Sequence, residues 1–288
     1  MRTELDNALD EVVARLTTPG AMLETVPFER YGQRLPMLKN APPTLPVMFE
    51  MFCAQHGDAE FLVDGEIRMT FAQTYAAARA VAGALVAGHG VQKGDRIGIA
   101  ARNSTNWIVA YMAVLMAGGC VCLLNGWWSG EEMAAGIDLT GCTIVLADKQ
   151  RSDRIAQLKV DTKVVLIEHD CGWEQGLANV LAHGGSAETP LSALTGDDLA
   201  TILYTSGSTG LSKGAWSDHR AVTQAVFSYV AQTLTILTML TEKGEAPSLQ
   251  PCTLVNVPLF HVTGEVPVFL QSFVIGRKLV LMPKWDAE

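Results

Sequence analysis

Short apolar runs alternate with segments of helical period along this chain, and this alternation is the feature that most constrains its fold. Apolar runs of about four to eight residues have the length of buried strands, whereas apolar residues spaced three and four apart mark one helix face. Such alternation predicts parallel pairing and an α/β fold, because two parallel strands need a long crossover that is usually a helix. The expected strands are 96–101, 119–124, 143–147, 163–167, 199–204, 253–257 and 278–282, and the expected helices are 71–86, 107–116, 131–139, a long one after Ser217 and one from about Gly264.

The alternation is interrupted by a stretch rich in glycine, serine and aspartate at 184–198. Exposed stretches of this composition commonly separate domains. We expect an N-terminal leader over 1–45 that holds a short helix, a first α/β subdomain over 46–195 and the start of a second over 196–288. Both subdomains should be of βαβ type, each with its own mainly parallel sheet covered by helices. Residues 285–288 have the pattern of a helix start, so we expect the chain to be the N-terminal part of a longer protein.

Composition and charge favour a packed globular protein of enzyme size. Of the 288 residues, 49% are hydrophobic and 18% are charged, which provides ample apolar material for a core. The net charge of −9 and the lack of a Lys/Arg-rich run argue against nucleic acid as a partner. Residues 1–15 include acidic side chains and no continuous apolar stretch, so they are not a secretory signal and a cytoplasmic location is expected.

The cysteines are scattered along the chain. None forms a Cys-x-x-Cys pair or lies near a histidine at the spacing of metal ligands. Several of them stand inside apolar runs. We therefore expect reduced core thiols and no metal site. They are Cys53, Cys120, Cys122, Cys142, Cys171 and Cys252.

Residues 221–240 contain no charged side chain and have the length needed to cross a bilayer as a helix. Hydroxyl and amide side chains are spread along the whole segment, however, which is a heavy polar load for a membrane span. Val222, Val226 and Val230 recur at the spacing of one half-buried helix face. We predict a helix of a soluble protein and no transmembrane segment.

Residues 204–214 read Tyr-Thr-Ser-Gly-Ser-Thr-Gly-Leu-Ser-Lys-Gly and directly follow an expected strand. Glycines let the backbone approach a ligand closely, hydroxyl and N–H groups donate hydrogen bonds to oxyanions, and Lys213 adds a positive charge. Such a turn between a buried strand and a long helix suits a polyphosphate. It is not the common P-loop, since Ser212 stands where that motif has glycine. A flexible Ser/Gly linker is the alternative, but the run is short and ends in Lys-Gly.

The same stretch resembles the signature Tyr-Thr-Ser-Gly-(Ser/Thr)-Thr-Gly-x-Pro-Lys-Gly of the adenylate-forming superfamily. That superfamily includes acyl-CoA synthetases, aryl-CoA ligases, luciferases and nonribosomal-peptide adenylation domains. Ser212 is the one departure, at a position where proline is usual, and it removes no phosphate donor. The chain therefore resembles the N-terminal part of an AMP-binding ligase of the acyl-CoA synthetase type.

Further stretches agree with this resemblance and occur in the expected order. Val-Pro-Leu-Phe-His-Val-Thr-Gly at 257–264 is similar to the motif that places a histidine or aromatic side chain against the acyl pocket. His261 is therefore the expected pocket residue, although a lone histidine is more often structural. Gly-Gly-Cys-Val-Cys-Leu-Leu-Asn at 118–125, followed by a Glu-Glu pair, resembles another family segment, with Gly126 in place of proline.

Three other conspicuous side chains near these motifs are expected to be structural. The adjacent Trp127 and Trp128 should form a partly buried corner between a strand and a helix rather than a ligand-stacking pair. His219, which follows the phosphate loop closely, should orient the start of a helix rather than contact a substrate.

The resemblance implies a two-step reaction. A carboxylate attacks the α-phosphate of Mg²⁺–ATP to give an acyl-adenylate and pyrophosphate, and a thiol, usually that of coenzyme A, then displaces AMP. It also implies that His261 lines the acyl pocket, that the loop holds the β- and γ-phosphates, and that no covalent enzyme nucleophile is required. The context of His261 leans toward fatty or aryl acids. The implied phosphate-binding residues are Thr205, Ser206, Gly207, Ser208, Thr209, Gly210 and Lys213.

Other family segments have no counterpart in these 288 residues, namely Tyr-Gly-x-Thr-Glu for adenine and Mg²⁺, Thr-Gly-Asp for ribose, and a C-terminal lysine domain. We therefore expect the chain alone to be inactive or very weak and its parent to be a ligase of fatty acid metabolism. A noncatalytic nucleotide-binding or scaffold protein that keeps the fold is the alternative. The expected ligands are ATP, Mg²⁺, coenzyme A and a small carboxylic acid. The oligomeric state stays open, a homodimer included.

Overall fold

The computed structural model of the protein describes residues 2–205 and 212–282. Helices and strands alternate through most of this range. The helices are α1 (Glu4–Thr17), α2 (Leu45–His56), α3 (Phe71–His89), α4 (Thr105–Met116), α5 (Gly130–Thr140), α6 (Lys149–Ala156), α7 (Trp173–Gly176), α8 (Ala178–Leu181), α9 (His219–Glu242), a π-helix (Gly264–Leu270) and α10 (Gln271–Ile275). The strands are β1 (Thr25–Arg30), β2 (Gln33–Leu38), β3 (Glu60–Asp64), β4 (Ile67–Thr70), β5 (Arg96–Ala100), β6 (Cys120–Leu123), β7 (Ile144–Ala147), β8 (Lys163–Leu166), β9 (Leu199–Thr205), β10 (Lys213–Asp218), β11 (Cys252–Val255) and β12 (Lys278–Leu281).

The larger sheet has six strands in the order β10-β9-β6-β5-β7-β8, and only its edge strand β10 is antiparallel to its neighbour. Its central strands are covered on both faces. Val121 and Leu123 of β6 join the larger core with α3 and α4, whereas Cys120 and Cys122 join a smaller core with α5 and α6. A strand buried on both faces needs a continuous apolar run, which explains why these strands can be read from the sequence.

The smaller sheet has four strands in the order β11-β12-β3-β4. β12 is parallel to both neighbours, and β3 and β4 form an antiparallel hairpin. The mainly parallel α/β class is therefore confirmed. Strands that precede 184–198 in the chain pair with strands that follow it in both the larger and the smaller sheet, since β6 pairs with β9 and β3 pairs with β12. The expectation of a separate sheet on each side is wrong, because an apolar run predicts a strand without naming its partner.

The N-terminal residues, expected as a leader over 1–45, form α1 and an antiparallel hairpin of β1 and β2. The hairpin turns at Tyr31 and Gly32, whose φ values of 50° and 73° are those of a two-residue hairpin turn. It is attached to α9, since the Leu38 N–H donates to the Gln224 side chain at 2.8 Å. The short helix is confirmed, whereas the hairpin was not predicted because its strands have no buried apolar face.

The Ser/Gly-rich loop connects two strands, β9 and β10, where the sequence predicted a loop between a strand and a helix. α9 begins only after β10, with the Asp218 side chain accepting from the Ala221 N–H as the helix N-cap. β10 was missed because most of its residues are exposed and give no apolar run. Residues 206–211 and 283–288, including the expected helix start at 285–288, lie outside the described residues.

The predicted uncharged helix corresponds to α9, which is 24 residues long. It buries one stripe, which includes Val222, Val226 and Val230, against the rest of the domain. Its other face carries hydroxyl and amide groups together with the exposed side chains of Tyr229, Ile236 and Leu237. Within the ranges 2–205 and 212–282, no helix is both long enough and apolar enough to span a membrane.

Candidate active site

A cleft of about 450 Å³ opens at the carboxyl ends of five strands drawn from both sheets. Segments that follow β5, β6, β7, β11 and β12 form its wall, so the two sheets direct these strand ends into one space. Ligands of open α/β folds bind in crevices of this kind. The lining residues are Ala101, Arg102 and Asn103 after β5, Trp127 after β6, Gln150 and Arg151 after β7, Val255, Asn256, Val257, Pro258 and Phe260 at and after β11, and Met282 after β12.

One side of the cleft is built around a buried ion pair at the start of α6. The Asp148 carboxylate accepts from Arg151 Nη1 at 2.8 Å, and it also accepts from the backbone N–H groups of Arg151 and Arg102 at 3.0 and 3.1 Å. Arg151 Nε donates to the Gly126 carbonyl at 3.0 Å. Removing one partner of such a buried pair costs about 3–5 kcal/mol, so the pair firmly links the segments after β5, β6 and β7.

Asn103 holds the opposite side of the cleft. Its Nδ2 donates to the Val257 carbonyl at 2.8 Å, and its Oδ1 accepts from the Leu259 N–H at 3.0 Å. The turn that follows is tight, since a Cβ atom on Gly264 would lie 2.1 Å from the Pro258 carbonyl oxygen. A residue without a side chain is therefore required there. These contacts fix the course of segment 257–264.

His261 lies at the exposed apex of that segment, next to the cleft wall. Its N–H donates to the Pro258 carbonyl at 3.2 Å, and its ring centroid is 5.6 Å from that of Phe260. Phe260 is buried and meets Trp127 edge to face, with ring centroids 5.3 Å apart. His261, Phe260 and Trp127 thus form an aromatic row, in which Phe260 and Trp127 line the cleft and His261 lies beside Phe260, outside the lining.

Trp127 is 70% exposed, so the expected burial in a corner is wrong for this residue. The Asn125 side chain accepts from its N–H at 2.9 Å, which holds the tight turn after β6. Trp128 is half-buried and packs edge to face on Tyr204, as a structural residue would. The two tryptophans therefore differ in environment, because consecutive residues in this turn point to different sides.

The flanks of the phosphate motif pair with each other at the end of the β9–β10 hairpin. Thr205, the last residue of β9, stands opposite Lys213, the first residue of β10, and both are exposed. No ion pair joins Lys213 to another described residue. Because β9 is parallel to β6, the hairpin leaves the sheet at the edge where the cleft lies. The other expected phosphate-binding residues, Ser206, Gly207, Ser208, Thr209 and Gly210, lie outside the described residues.

His219 is buried at the first position of α9, behind the hairpin. Its Nδ1 accepts from the N–H of Leu45, the first residue of α2, at 3.3 Å. Burial lowers the pKa of His219 to about 4, so the ring is neutral near pH 7 and carries its proton on Nε2. The contact joins α9 to α2 and is a structural one.

A buried carboxyl group lies directly behind the His261 segment. Glu265, in the π-helix, is 1% exposed, and its Oε1 accepts from the Tyr111 hydroxyl at 2.7 Å. Burial raises the pKa of Glu265 to about 7 despite the opposing effect of this hydrogen bond, and burial also raises the pKa of Tyr111. The Glu265 N–H donates to the His261 carbonyl at 2.8 Å.

The structure thus brings Lys213 and His261 to one end of the molecule, although Lys213 begins β10 of the larger sheet and His261 follows β11 of the smaller one. Sequence reasoning missed Asn103 and Arg151, and it missed the exposure of Trp127. Their position directly after expected strands was the available signal, because the carboxyl ends of parallel strands meet at one edge. In the described part of the chain, no three His, Cys, Asp or Glu side chains are grouped to hold a metal ion.

A mainly parallel α/β fold with a Ser/Gly/Thr-rich loop and a histidine segment at one end defines the class as the N-terminal domain of an adenylate-forming ligase. The particular family follows from a direct match. The family model described as AMP-binding enzyme matches residues 49–288, and the chain belongs to this family.

Individual relatives agree with this assignment. The 3-[(3aS,4S,7aS)-7a-methyl-1,5-dioxo-octahydro-1H-inden-4-yl]propanoyl:CoA ligase of Rhodococcus jostii (strain RHA1) is 25% identical over 270 residues, which cover 85% of this chain and 48% of the relative. The 4-coumarate–CoA ligase-like 3 of Oryza sativa subsp. japonica is 28% identical over 215 residues, which cover 69% of this chain and 35% of the relative. This chain spans about half the length of the first relative and about a third of the second.

Among solved structures, the N-terminal domain of FACL13 from Mycobacterium tuberculosis has a similar fold. Its TM-score is 0.70 at 23% identity, and the match covers 85% of this chain and 58% of that chain. This similarity supports the fold and leaves the choice of substrate to other arguments.

Proposed function

We propose that the whole protein is an acid–thiol ligase. It joins a carboxylic acid to ATP, with the carboxylate oxygen attacking the α-phosphorus and pyrophosphate leaving. The sulfur of coenzyme A then attacks the acyl carbon of the adenylate, AMP leaves, and a thioester results. ATP enters as its Mg²⁺ complex, so the metal ion arrives with the substrate.

The observation that carries this proposal is the position of the family's phosphate motif in the fold. Its flanks, Thr205 and Lys213, end a hairpin at the carboxyl edge of the six-stranded sheet. The His261 segment reaches the same end of the molecule from β11. A phosphate-holding loop and an acid-holding segment must be close together, because the reaction joins a carboxylate to a phosphate.

The residues present suit the β- and γ-phosphates of ATP. Lys213 is exposed and has no described anionic partner, so its ammonium group is available to a phosphate oxygen. The glycines of the motif allow backbone N–H groups to approach the same oxygens. In this proposal Thr205, Ser206, Gly207, Ser208, Thr209, Gly210 and Lys213 hold the phosphates during the first step.

We further propose that the acid is a fatty or aryl acid and that His261 lines its pocket. The aromatic row of His261, Phe260 and Trp127 presents apolar ring surface beside the cleft, which favours an apolar acid over a charged one. The two relatives point the same way, since one is named for a ring-bearing propanoyl group and the other as 4-coumarate–CoA ligase-like.

The test is acid-dependent exchange of labelled pyrophosphate into ATP, measured with the complete reading frame and a panel of fatty and aromatic acids. We expect exchange with at least one acid, and we expect Lys213→Ala to lower it by ten- to a hundredfold, as one charge-assisted contact implies. Lys243→Ala is the matched control, because Lys243 is also exposed but lies at the far end of α9.

Absence of exchange with every acid would contradict the ligase proposal. If ATP still bound in calorimetry under those conditions, the protein would be a noncatalytic nucleotide-binding member of the family. The same two measurements on the 288-residue chain determine whether it acts alone.

A further inference from the structure

Tyr111 and Glu265 form a polar pair inside an otherwise apolar part of the core. The Trp107 ring stacks on Tyr111 with centroids 5.4 Å apart, and Phe269 meets Tyr111 edge to face at 5.2 Å. Tyr111, Trp107 and Phe269 are fully buried, and Glu265 is 1% exposed. Burying a carboxyl group among aromatic rings costs free energy that an apolar residue of similar size avoids. The pair therefore calls for an explanation other than stability.

The pair joins α4 to the π-helix, whose first turn contains Pro267. Proline is tolerated in a first turn, because an N–H group there has no partner within the helix. π-turns are rare, and they occur frequently at functional sites. The Tyr111 hydroxyl provides a fixed contact for the π-helix from outside it.

The same contact reaches His261 through the backbone. The Glu265 N–H donates to the His261 carbonyl at 2.8 Å, so the position of Glu265 constrains the turn that presents the histidine. At the other end of the segment, Asn103 binds Val257 and Leu259. Asn103 and Tyr111 both belong to the β5–α4 unit, which thus holds the His261 segment at two points.

We propose that Tyr111 and Glu265 are positioning residues whose buried hydrogen bond fixes the orientation of His261 toward the acid. Neither residue touches the reacting atoms. This inference rests on the proposed role of His261 in the acyl pocket. It adds that the pocket depends on a hydrogen bond between two buried side chains behind it.

Four variants separate positioning from simple packing. Tyr111→Phe removes the donor and Glu265→Leu removes the acceptor, whereas Glu265→Gln keeps an acceptor oxygen and nearly the same volume. The double variant Tyr111→Phe/Glu265→Leu replaces both partners by apolar groups and completes a double-mutant cycle. Tyr75→Phe is the matched control, because Tyr75 lies on α3 and lines a separate cavity that includes no residue of 257–265.

The first readout is NMR of the 288-residue chain, labelled at histidine for the ring signals and uniformly with 15N for the amides, with His261→Gln used to assign the His261 ring. We expect Tyr111→Phe and Glu265→Leu to shift the His261 ring signals and to speed hydrogen exchange of the Leu259 and Glu265 amides at least tenfold. Amides of β5 should change much less. Glu265→Gln and Tyr75→Phe should keep the wild-type His261 ring signals and the wild-type ratio between exchange in the His261 segment and exchange in β5.

Two results would overturn the proposal. One is a set of His261 signals that coincide in all variants, and the other is a uniform acceleration of exchange across β5 and the His261 segment, which a purely structural pair would cause. If Glu265→Leu fails to fold, Tyr111→Phe, which loses a single oxygen atom, decides alone.

The second readout is the pyrophosphate-exchange assay of the complete protein. Tyr111→Phe should raise the KM for the acid several-fold and leave the KM for ATP unchanged, whereas Glu265→Gln should keep both KM values of the wild type. An unchanged acid KM would refute the positioning role. Complete absence of exchange in the wild type would instead remove the ligase proposal, while the NMR readout would still decide whether the pair orients His261.

Discussion

Replacing Glu265 by glutamine should stabilise the protein above neutral pH and change it little in acid. Glutamine is nearly isosteric and can accept the same hydrogen bond from Tyr111, but it cannot ionise. In the wild type, the buried carboxyl group is more stable in its neutral form, which raises the pKa from 4.5 to about 7. The variant removes this ionisation and leaves the packing in place.

The size of the effect follows from the two pKa values. Between pH 4.5 and about 7 the native state holds a proton that the unfolded chain has lost, so stability falls as pH rises through this window. The contribution of Glu265 is fully present below this window and is lost above it. A difference of about 2.5 pKa units corresponds to roughly 3 kcal/mol. The stability of Glu265→Gln relative to wild type should therefore rise by that amount between about pH 4 and about pH 8.

Urea unfolding of the two proteins at several pH values measures this difference. The slopes with urea should agree, so that midpoints report free energy alone. His219 titrates over a similar range with the opposite sign, because burial lowers its pKa to about 4. Its contribution is common to both proteins and cancels in the difference. A difference between variant and wild type that stays constant with pH would refute the reasoning.

Three further predictions concern Asn103, Gly264 and His219. Asn103→Ala removes two hydrogen bonds to segment 257–264 and should lower the free energy of unfolding, measured by urea titration, by about 2–3 kcal/mol. A loss under about 0.5 kcal/mol would contradict the role of these contacts. Gly264→Ala places Cβ 2.1 Å from a carbonyl oxygen and should cost more than about 3 kcal/mol, whereas Gly172→Ala, with its nearest neighbour at 3.7 Å, serves as a tolerant control in the same thermal melt. Burial lowers the pKa of His219 to about 4, so the wild type loses stability as pH falls from about 6.5 to 4. His219→Gln should reduce this loss, and urea titrations that show the same fall in stability for both proteins would disprove the prediction.

The elements that sequence analysis predicted best are those buried on both faces or along a clear helical stripe. All seven expected strands are present, with ends that agree within about two residues, and the helices from Phe71 and from Gly264 begin at the expected positions. All six cysteines are free, and four of them are buried, as expected of core thiols. The expectation is wrong for the other two, since Cys171 is half-buried and Cys252 is exposed. These features depend on local apolar pattern, which a sequence displays directly.

The misses have a common physical origin in long-range pairing. β10 and the β1–β2 hairpin are polar strands whose pairing partner, rather than their own pattern, makes them strands. The six-stranded and the four-stranded sheet likewise each contain strands from before and after 184–198, and an apolar run does not reveal which strand it will pair with. In the site, Lys213 and His261 could be named from motifs, but the hydrogen bonds of Asn103 and Glu265 join residues more than 150 positions apart.

The central place of β12 in the smaller sheet also sets an order for folding during synthesis. Leu62 of β3 is fully buried and pairs with Leu279, more than 200 residues later in the chain. At about 5–20 residues per second, the ribosome would need roughly 10–40 s to reach that partner after β3 emerges. During this interval β3 has one open edge, and its apolar side chains lack their final cover. The nascent chain should therefore bind chaperones through residues 60–70 until β12 is released, and conditions that slow translation should lengthen that association.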